Sequence, residues 1–427
     1  MTKEANLLHT LPATNLFHKS IAILFFPLLI LIRLISPFYK IRVGIFMSGR
    51  IGHFTAQAGI SLCENIENAK IEGQKYKNIY WFLTPSCNTQ LEKMVRRVFF
   101  VRWWVKYLVL ANNIFPALKL VPVSGKWMSG RDTKGLHYKT KDNKEAYLPF
   151  SHNEETEARQ ILNHLGIGDS DKFVCLITRD SEYLSTFFPK WEWAYHNYRD
   201  TDIHTYKEAV EALANLGYWV FRMGKKVKEP LRISHPRVID YANLEMRSDL
   251  LDIWLPAKAY FSISTSVGLD AVPQAYRRPV VYVNAMTNAD FRSHDHCIWA
   301  SKNLMWESQA GNLLTLKETL LNNFRNSKAY KEKGIKIIDL SSEQIREIVL
   351  EMESRLTGNW RVTEEEELNQ SKFIKIISSW KIEEAIDIHT GETIKGKGKR
   401  HEFFHPEARV SQKYLEYNSS FLSDDKS

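Results

Sequence analysis

Three stretches of this chain carry side chains suited to chemistry on an anion. In Ala259 to Asn284, AYFSISTSVGLDAVPQAYRRPVVYVN, the hydroxyls of Ser264, Thr265 and Ser266 lead into Gly268, Leu269 and Asp270. A strand, a small-residue turn and a helix in that order aim free backbone N–H groups at whatever lies beyond the strand, and such a terminus attracts phosphate. With one glycine and several hydroxyls, the turn suits a nucleotide-sugar phosphate better than the dinucleotide of a GxGxxG motif. Asp270 could accept hydrogen bonds from ribose hydroxyls, or simply place favourable charge near a helix start.

A second stretch holds arginines. Arg179 directly follows the apolar run KFVCLIT, Arg199 stands in HNYRDTD, and Arg222 ends the run YWVFR. Guanidinium forks grip diphosphate oxygens two at a time and could neutralise a departing nucleoside diphosphate. Each also has a plainer reading: Arg179 paired with Asp180, Arg199 as a surface cation, Arg222 as the ion-pair partner of Asp240. The third stretch is GRIGH, with Gly49, Arg50, Gly52 and His53 after the run KIRVGIFMS. Its glycines let backbone approach a ligand. His53, on the opening turn of a helix, would be held neutral as a general base or would only pack that turn.

The elements that must position these groups alternate. Strands are expected at 40–48, 78–85, 172–178, 218–224, 237–242, 259–264 and 279–284. Helices are expected at 54–69, 88–118, 153–165, 203–216 and 248–257, with two more between Thr315 and Gly358, the second opened by the capping-box spacing of SSEQ. Such alternation indicates parallel α/β sheets. The expected division is a membrane-associating segment at 1–39, a Rossmann-like acceptor domain at 40–150, a Rossmann-like nucleotide-sugar domain at 151–362, and a helical tail at 363–427. Thr390 to His401 is polar enough to read as a mobile loop. Two such α/β halves usually leave a ligand cleft outside the carboxyl ends of their strands.

Charge is segregated along the chain. The net +9 conceals 21 Lys and Arg against 8 Asp and Glu in residues 1–150, and 37 against 41 in the rest. A first third that basic suits anionic lipid headgroups, a phosphorylated lipid carrier or nucleic acid; without a recognised reader motif, nucleic acid is the poorest fit. The twelve apolar residues Ile21 to Ile32 fall short of the roughly twenty that a spanning helix needs. With Pro27 inside and Lys19, Arg33 and Lys40 around it, the segment reads as an uncleaved monotopic or re-entrant anchor, with a signal peptide, a single span and a core helix as rivals. Within Arg96 to Leu110, helical spacing puts Phe100, Trp103, Trp104 and Tyr107 in one sector, flanked by Arg97, Arg102 and Lys106. That is the pattern of an interfacial helix. The four cysteines lie far apart with no CxxC pair, and no P-loop, HExxH, GxSxG or DxD motif occurs, so no metal or cofactor is expected.

The stretches Tyr198 to Gly224, Ile239 to Pro273 and Arg277 to Asn284 resemble a family of bacterial glycosyltransferases associated with surface-polysaccharide genes. The likeness extends over most of the chain, including GRIGH and the tail ARVSQKYLEYNSSFL. It implies the GT-B fold, two facing Rossmann-like domains. Gly268-Leu269, with Pro279 eleven residues after the glycine, is similar to the nucleotide-sugar turn of heptosyltransferases, where Ser266 replaces that family's acidic residue. GRIGH also looks like the GxxGH loop of the enzyme that adds N-acetylglucosamine to lipid-linked peptidoglycan precursors, whose histidine is a catalytic candidate. The expectation is therefore a metal-independent glycosyltransferase at the cytoplasmic face of the inner membrane. It would move sugar from a nucleotide donor to a lipid-linked glycan. A nucleotide-sugar epimerase or hydrolase, and a non-catalytic binder of anionic lipid or glycan, remain the alternatives.

Overall fold

The structure is a computed structural model that describes residues 16–423 except 71–74, 119, 124–131, 133, 191, 287–290, 292, 309–310, 323, 325, 380–383, 387–392 and 396–402. The chain divides into two compact units, residues 1–131 with 140–151, and residues 132–139 with 152–427.

In the first unit, helices α1 (Leu16–Leu24) and α2 (Phe26–Ile35) precede strand β1 (Lys40–Phe46), helix α3 (Ile51–Ala69), strand β2 (Tyr76–Phe82), helices α4 (Thr89–Val98) and α5 (Val105–Ile114), and strand β3 (Val121–Pro122). The sheet order is β2-β1-β3, all parallel. Gly44 of β1 sits opposite Tyr80 of β2, and a Cβ at Gly44 would meet Tyr80 Cε1 at 2.4 Å and Val123 Cγ2 at 2.8 Å. Gly44→Ala should therefore destabilise this unit by about 1–3 kcal/mol, as overpacking of a tight core does. Urea unfolding followed by tryptophan fluorescence checks it; an unchanged midpoint would refute it.

The helix expected from Asn88 to Leu118 is two helices. Between them, Tyr80 of β2 accepts from Arg102 N and donates to Phe100 O, so the backbone at Phe99 to Arg102 runs beside the sheet. Bonds to a strand have displaced bonds along a helix, and the aromatic residues of this stretch no longer share one helical face. Tyr107 is a core residue, 4 % exposed, against Phe25 and within 3.1 Å of His18 Nδ1. Trp104 packs partly buried in the same cluster. Arg97 donates to Pro149 O, while Arg102 and Trp103 are exposed.

The second unit runs through α6 (Leu136–Lys139), α7 (His152–His164), β4 (Phe173–Ile177), α8 (Glu182–Phe187), α9 (Lys207–Asn215), β5 (Trp219–Arg222), β6 (Val238–Ile239), α10 (Asp249–Lys258), β7 (Phe261–Ser264), α11 (Ala271–Ala275), β8 (Val280–Ala285) and β9 (Cys297–Ser301). Next come β10 (Asn303–Trp306), α12 (Leu316–Leu321), α13 (Ser327–Glu332), β11 (Ile335–Ile338), α14 (Ser342–Thr357), α15 (Glu364–Ser379), the β12–β13 hairpin (Glu384–Ile386, Thr393–Lys395), β14 (Arg409–Val410) and α16 (Gln412–Tyr417). Seven parallel strands form one sheet in the order β14-β9-β8-β7-β4-β5-β6. Apolar runs such as FVCLI and VVYVNA are buried on both faces, as a parallel sheet requires.

Residues 315–358, read as two helices, hold three and the strand β11, which pairs antiparallel with β10. The expected box is present at Ser341, whose hydroxyl accepts from Gln344 N, and Gly358 ends α14 in the left-handed region. The tail is part of the sheet unit rather than an appendage. The buried Glu351 carboxylate of α14 accepts from Ser411 Oγ and Lys413 N, fastening α16 beside β14. Of the expected mobile loop, only 393–395 fall among the described residues.

Candidate functional site

In the seven-stranded sheet the chain starts at β4, moves outward through β5 and β6, then returns beside β4 at β7 and builds in the other direction. The carboxyl ends of β4 and β7 therefore meet where the strand order reverses, the usual ligand position in open α/β sheets. Ile177 pairs with Ser264, so Arg179 and Ser266 emerge on neighbouring strands.

The turn after β7 is held from beneath. Ser264 Oγ donates to Asp270 Oδ2 at 2.9 Å and accepts from Ser266 N at 3.1 Å. Thr265 Oγ1 accepts from Arg179 N at 3.0 Å, tying the turn to the residue after β4. Ser264, Thr265 and Asp270 are buried, so the expectation that they touch a ligand is corrected: they shape the turn. Asp270 also accepts from Gln274 Nε2 at 3.3 Å, and Gln274 reaches Tyr282. What faces outward is Ser266, Val267, Gly268 and Leu269. Ser266 lies at φ 62°, a region that costs a non-glycine residue of order 1–3 kcal/mol and that clusters at ligand clamps. The helix expected from Gly268 is only the five residues of α11, so no long helix end stands behind the turn.

Two arginines supply that help. Arg199 ends a 3-10 helix, Ala194–Arg199, and its Nη2 donates to the Ser266 carbonyl. Arg179 lies with Nε 3.1 Å from Asp200 Oδ1, at an angle outside hydrogen-bonding geometry, and its side chain is 13 % exposed. Burial above all, and then the charge of Arg199, hold the Arg179 guanidinium below its ordinary pKa, while Asp200 works against them. Burial likewise raises the Asp200 carboxyl, opposed by Arg179 and Lys302. Two neighbouring cations and one disfavoured carboxylate make a place where an anion is welcome. Among the described residues, that single carboxylate is the only ionic partner of Arg179.

Arg222 does not belong to this surface. It is 1 % exposed, with Nη1 3.5 Å from Asp240 Oδ1 and Nη2 3.7 Å from Asp180 Oδ2, and it donates to Glu229 O at 3.2 Å. The donor-contact expectation for Arg222 is thus replaced by the ion-pair reading. Its acids brace the loop after β5: Asp180 accepts from Lys228 N, and Asp240 from Leu231 N.

Sequence reasoning missed a second layer. Lys302, 5 % exposed, lies 2.7 Å from Asp339 Oδ1 and donates to Asp200 O. Asn284 accepts from Leu340 N and donates to Thr201 Oγ1, with Asn284 itself at φ 52°. Both hold Asp200 and Thr201, the segment that faces Arg179, in place. The one available signal was the polar Asn284 ending an apolar strand. Asp202 caps the next 3-10 turn, accepting from His204 N.

In the first unit, Gly49 and Arg50 follow β1, while Gly52 and His53 lie within the first turn of α3. A Cβ at Gly49 would stand 2.6 Å from Thr84 Oγ1, so the loop passes close to the segment after β2. Arg50 occupies the N-cap position with no side-chain capping bond, and His53 is partly exposed on that turn. One group of possible cation ligands occurs among the described residues, Asp295, His296 and Glu407. His296 Nε2 lies 3.2 Å from Glu407 Oε2 and His405 Nε2 lies 3.3 Å from Asp295 Oδ1, so each member of the group already has a neighbour.

No protein-family model matches the chain, and no curated protein matches it significantly. Among solved structures it is similar to ADP-heptose LPS heptosyltransferase II of E. coli, at 14 % identity and TM-score 0.32, over 61 % of this chain and 85 % of that one. It is also similar to a family 9 glycosyl transferase from Veillonella parvula, at 12 % identity and TM-score 0.33, over 80 % and 95 %. A third is the E. coli heptosyltransferase WaaC with ADP-2-deoxy-2-fluoro heptose, at 11 % identity and TM-score 0.28, over 61 % and 89 %.

Proposed function

We propose that this chain is a glycosyltransferase whose sheet-rich second unit holds a nucleoside diphosphate sugar. Arg179 and Arg199 grip the diphosphate beside the part-exposed turn Ser266 to Gly268. The observation that carries the reading is the Arg179 guanidinium, nearly buried at the strand-order reversal and committed to one poorly aligned carboxylate. Its Nε–H is buried without a hydrogen-bond partner, an arrangement that is costly unless something fills it.

In the reaction, the sugar C1–O bond to phosphate breaks and its electrons pass to the leaving diphosphate. The fixed guanidinia offset that growing charge and stand in the role a cation would otherwise take. An acceptor hydroxyl, on a lipid-linked glycan destined for a surface polysaccharide, forms the new bond to C1. Its proton passes to a general base, and His53, partly exposed on the first turn of α3, is the candidate that the sequence offers for one.

The test is a thermal-shift screen of the whole chain against UDP-, GDP-, CMP- and ADP-sugars. One nucleotide class should raise the midpoint, since a ligand at 100 times its Kd adds about 2.7 kcal/mol of stability. No shift with any of them would end the donor-site reading. Incubation with the selected donor alone should leave it intact; isomerised or hydrolysed sugar without acceptor would favour an epimerase or hydrolase.

A further inference from the structure

The first unit carries an apolar face that the fold leaves uncovered among the described residues. Helices α1 and α2 meet at Phe25 with a 44° bend, and no single helix among the described residues is long and apolar enough to cross a membrane. Their inner side is spent on the core: Ala22, Leu29 and Ile32 pack with Val105, Leu108 and Ala111 of α5. The outer side repeats at helical spacing, with Pro27, Ile30, Leu31 and Leu34 exposed on α2, and Ile23 and Leu24 on α1. Leu24 is 76 %, Leu34 67 % and Phe38 83 % exposed. Trp103, 68 % exposed, lies beside Tyr107, which in turn contacts Phe25 at the bend.

Charge says what covers this face. Between residues 5 and 63, and again between 93 and 131, the chain has no Asp or Glu at all, while Lys19, Arg33, Lys40, Arg102 and Lys106 all fall in those stretches. Lys19, Arg33, Lys40 and Arg102 are exposed. A protein partner with an apolar patch would not require that every carboxylate be missing; a bilayer of anionic lipid repels each one.

We propose that the bent pair α1–α2, with Phe38 and Trp103, lies in the interface of an anionic bilayer without crossing it. Leucine, isoleucine and aromatic side chains enter the acyl boundary, and the lysines and arginines reach lipid phosphates beside them. The face belongs to the first unit and its test reads lipid binding, so its failure would leave the donor-site reading of the second unit untouched.

The experiment is flotation of the full chain with vesicles of phosphatidylcholine alone and of phosphatidylcholine mixed with phosphatidylglycerol. The chain should float with the mixed vesicles and only weakly with the neutral ones. The triple variant Leu31→Ser, Leu34→Ser, Phe38→Ser should lose flotation. The triple variant Arg33→Glu, Lys40→Glu, Arg102→Glu should lower partitioning into mixed vesicles by at least about 100-fold, since each surface cation contributes about fivefold. All six positions are exposed, so both variants should keep the parent unfolding midpoint. Failure to float with phosphatidylglycerol overturns the proposal. So does undiminished flotation of either variant, or a dimer of the parent chain that the serine variant dissociates, which would assign the face to a second copy.

Discussion

Arg179→Ala should raise the dissociation constant for the proposed nucleoside diphosphate about 10- to 100-fold, as loss of a charge-assisted contact to phosphate does. Isothermal titration against the nucleotide selected by the thermal-shift screen reads it directly. Because the Arg179 side chain has one ill-aligned partner, Asp200, the unliganded variant should unfold within a few degrees of the parent. Arg179→Lys keeps the charge without the planar fork and should recover only part of the affinity. Unchanged affinity in the alanine variant would remove Arg179 from the site and leave the strand-order reversal without its principal cation.

Arg222→Ala should show the opposite signature, a large loss of stability. The side chain is 1 % exposed between Asp180 and Asp240, and removing one partner of a buried ionic group costs about 3–5 kcal/mol. Two acids would then face each other across the cavity, and the loop they hold through Lys228 N and Leu231 N would lose its centre. Urea unfolding of the second unit measures the effect. A loss below about 1 kcal/mol would mean that solvent reaches these acids freely enough to replace the guanidinium.

These two arginines also mark how far the sequence could be read. Both follow apolar runs that are strands, and both look equally able to grip a phosphate. The difference lies in depth: Arg179 stands two residues beyond β4, whereas Arg222 is the last residue of β5 and has acids on either side. Asp270 misleads for a similar reason. A carboxylate beside a small-residue turn has the same local pattern whether it faces a ribose or, as here, accepts from Ser264 beneath the turn. Burial is a property of the assembled sheet and leaves no trace in spacing.

The alternation of strands and helices was legible because long apolar runs and capping residues repeat it many times over. Ser341 caps where the SSEQ spacing places it. The break after α4 was not legible. The aromatic period of Phe100 to Tyr107 suits a helix, and only the ladder bonds to Tyr80 stop one from forming. Strands β9 and β11 escaped because runs as short as CIWAS and IKII carry no period of their own.

β14 is just Arg409 and Val410, yet it lies along the outer edge of β9, a strand buried throughout. Until those late residues arrive, β9 presents a row of unpaired peptide groups on a flat apolar ribbon, a template for pairing with another chain. A nascent or proteolytically clipped polypeptide lacking them would be a target for chaperones and a seed for aggregation.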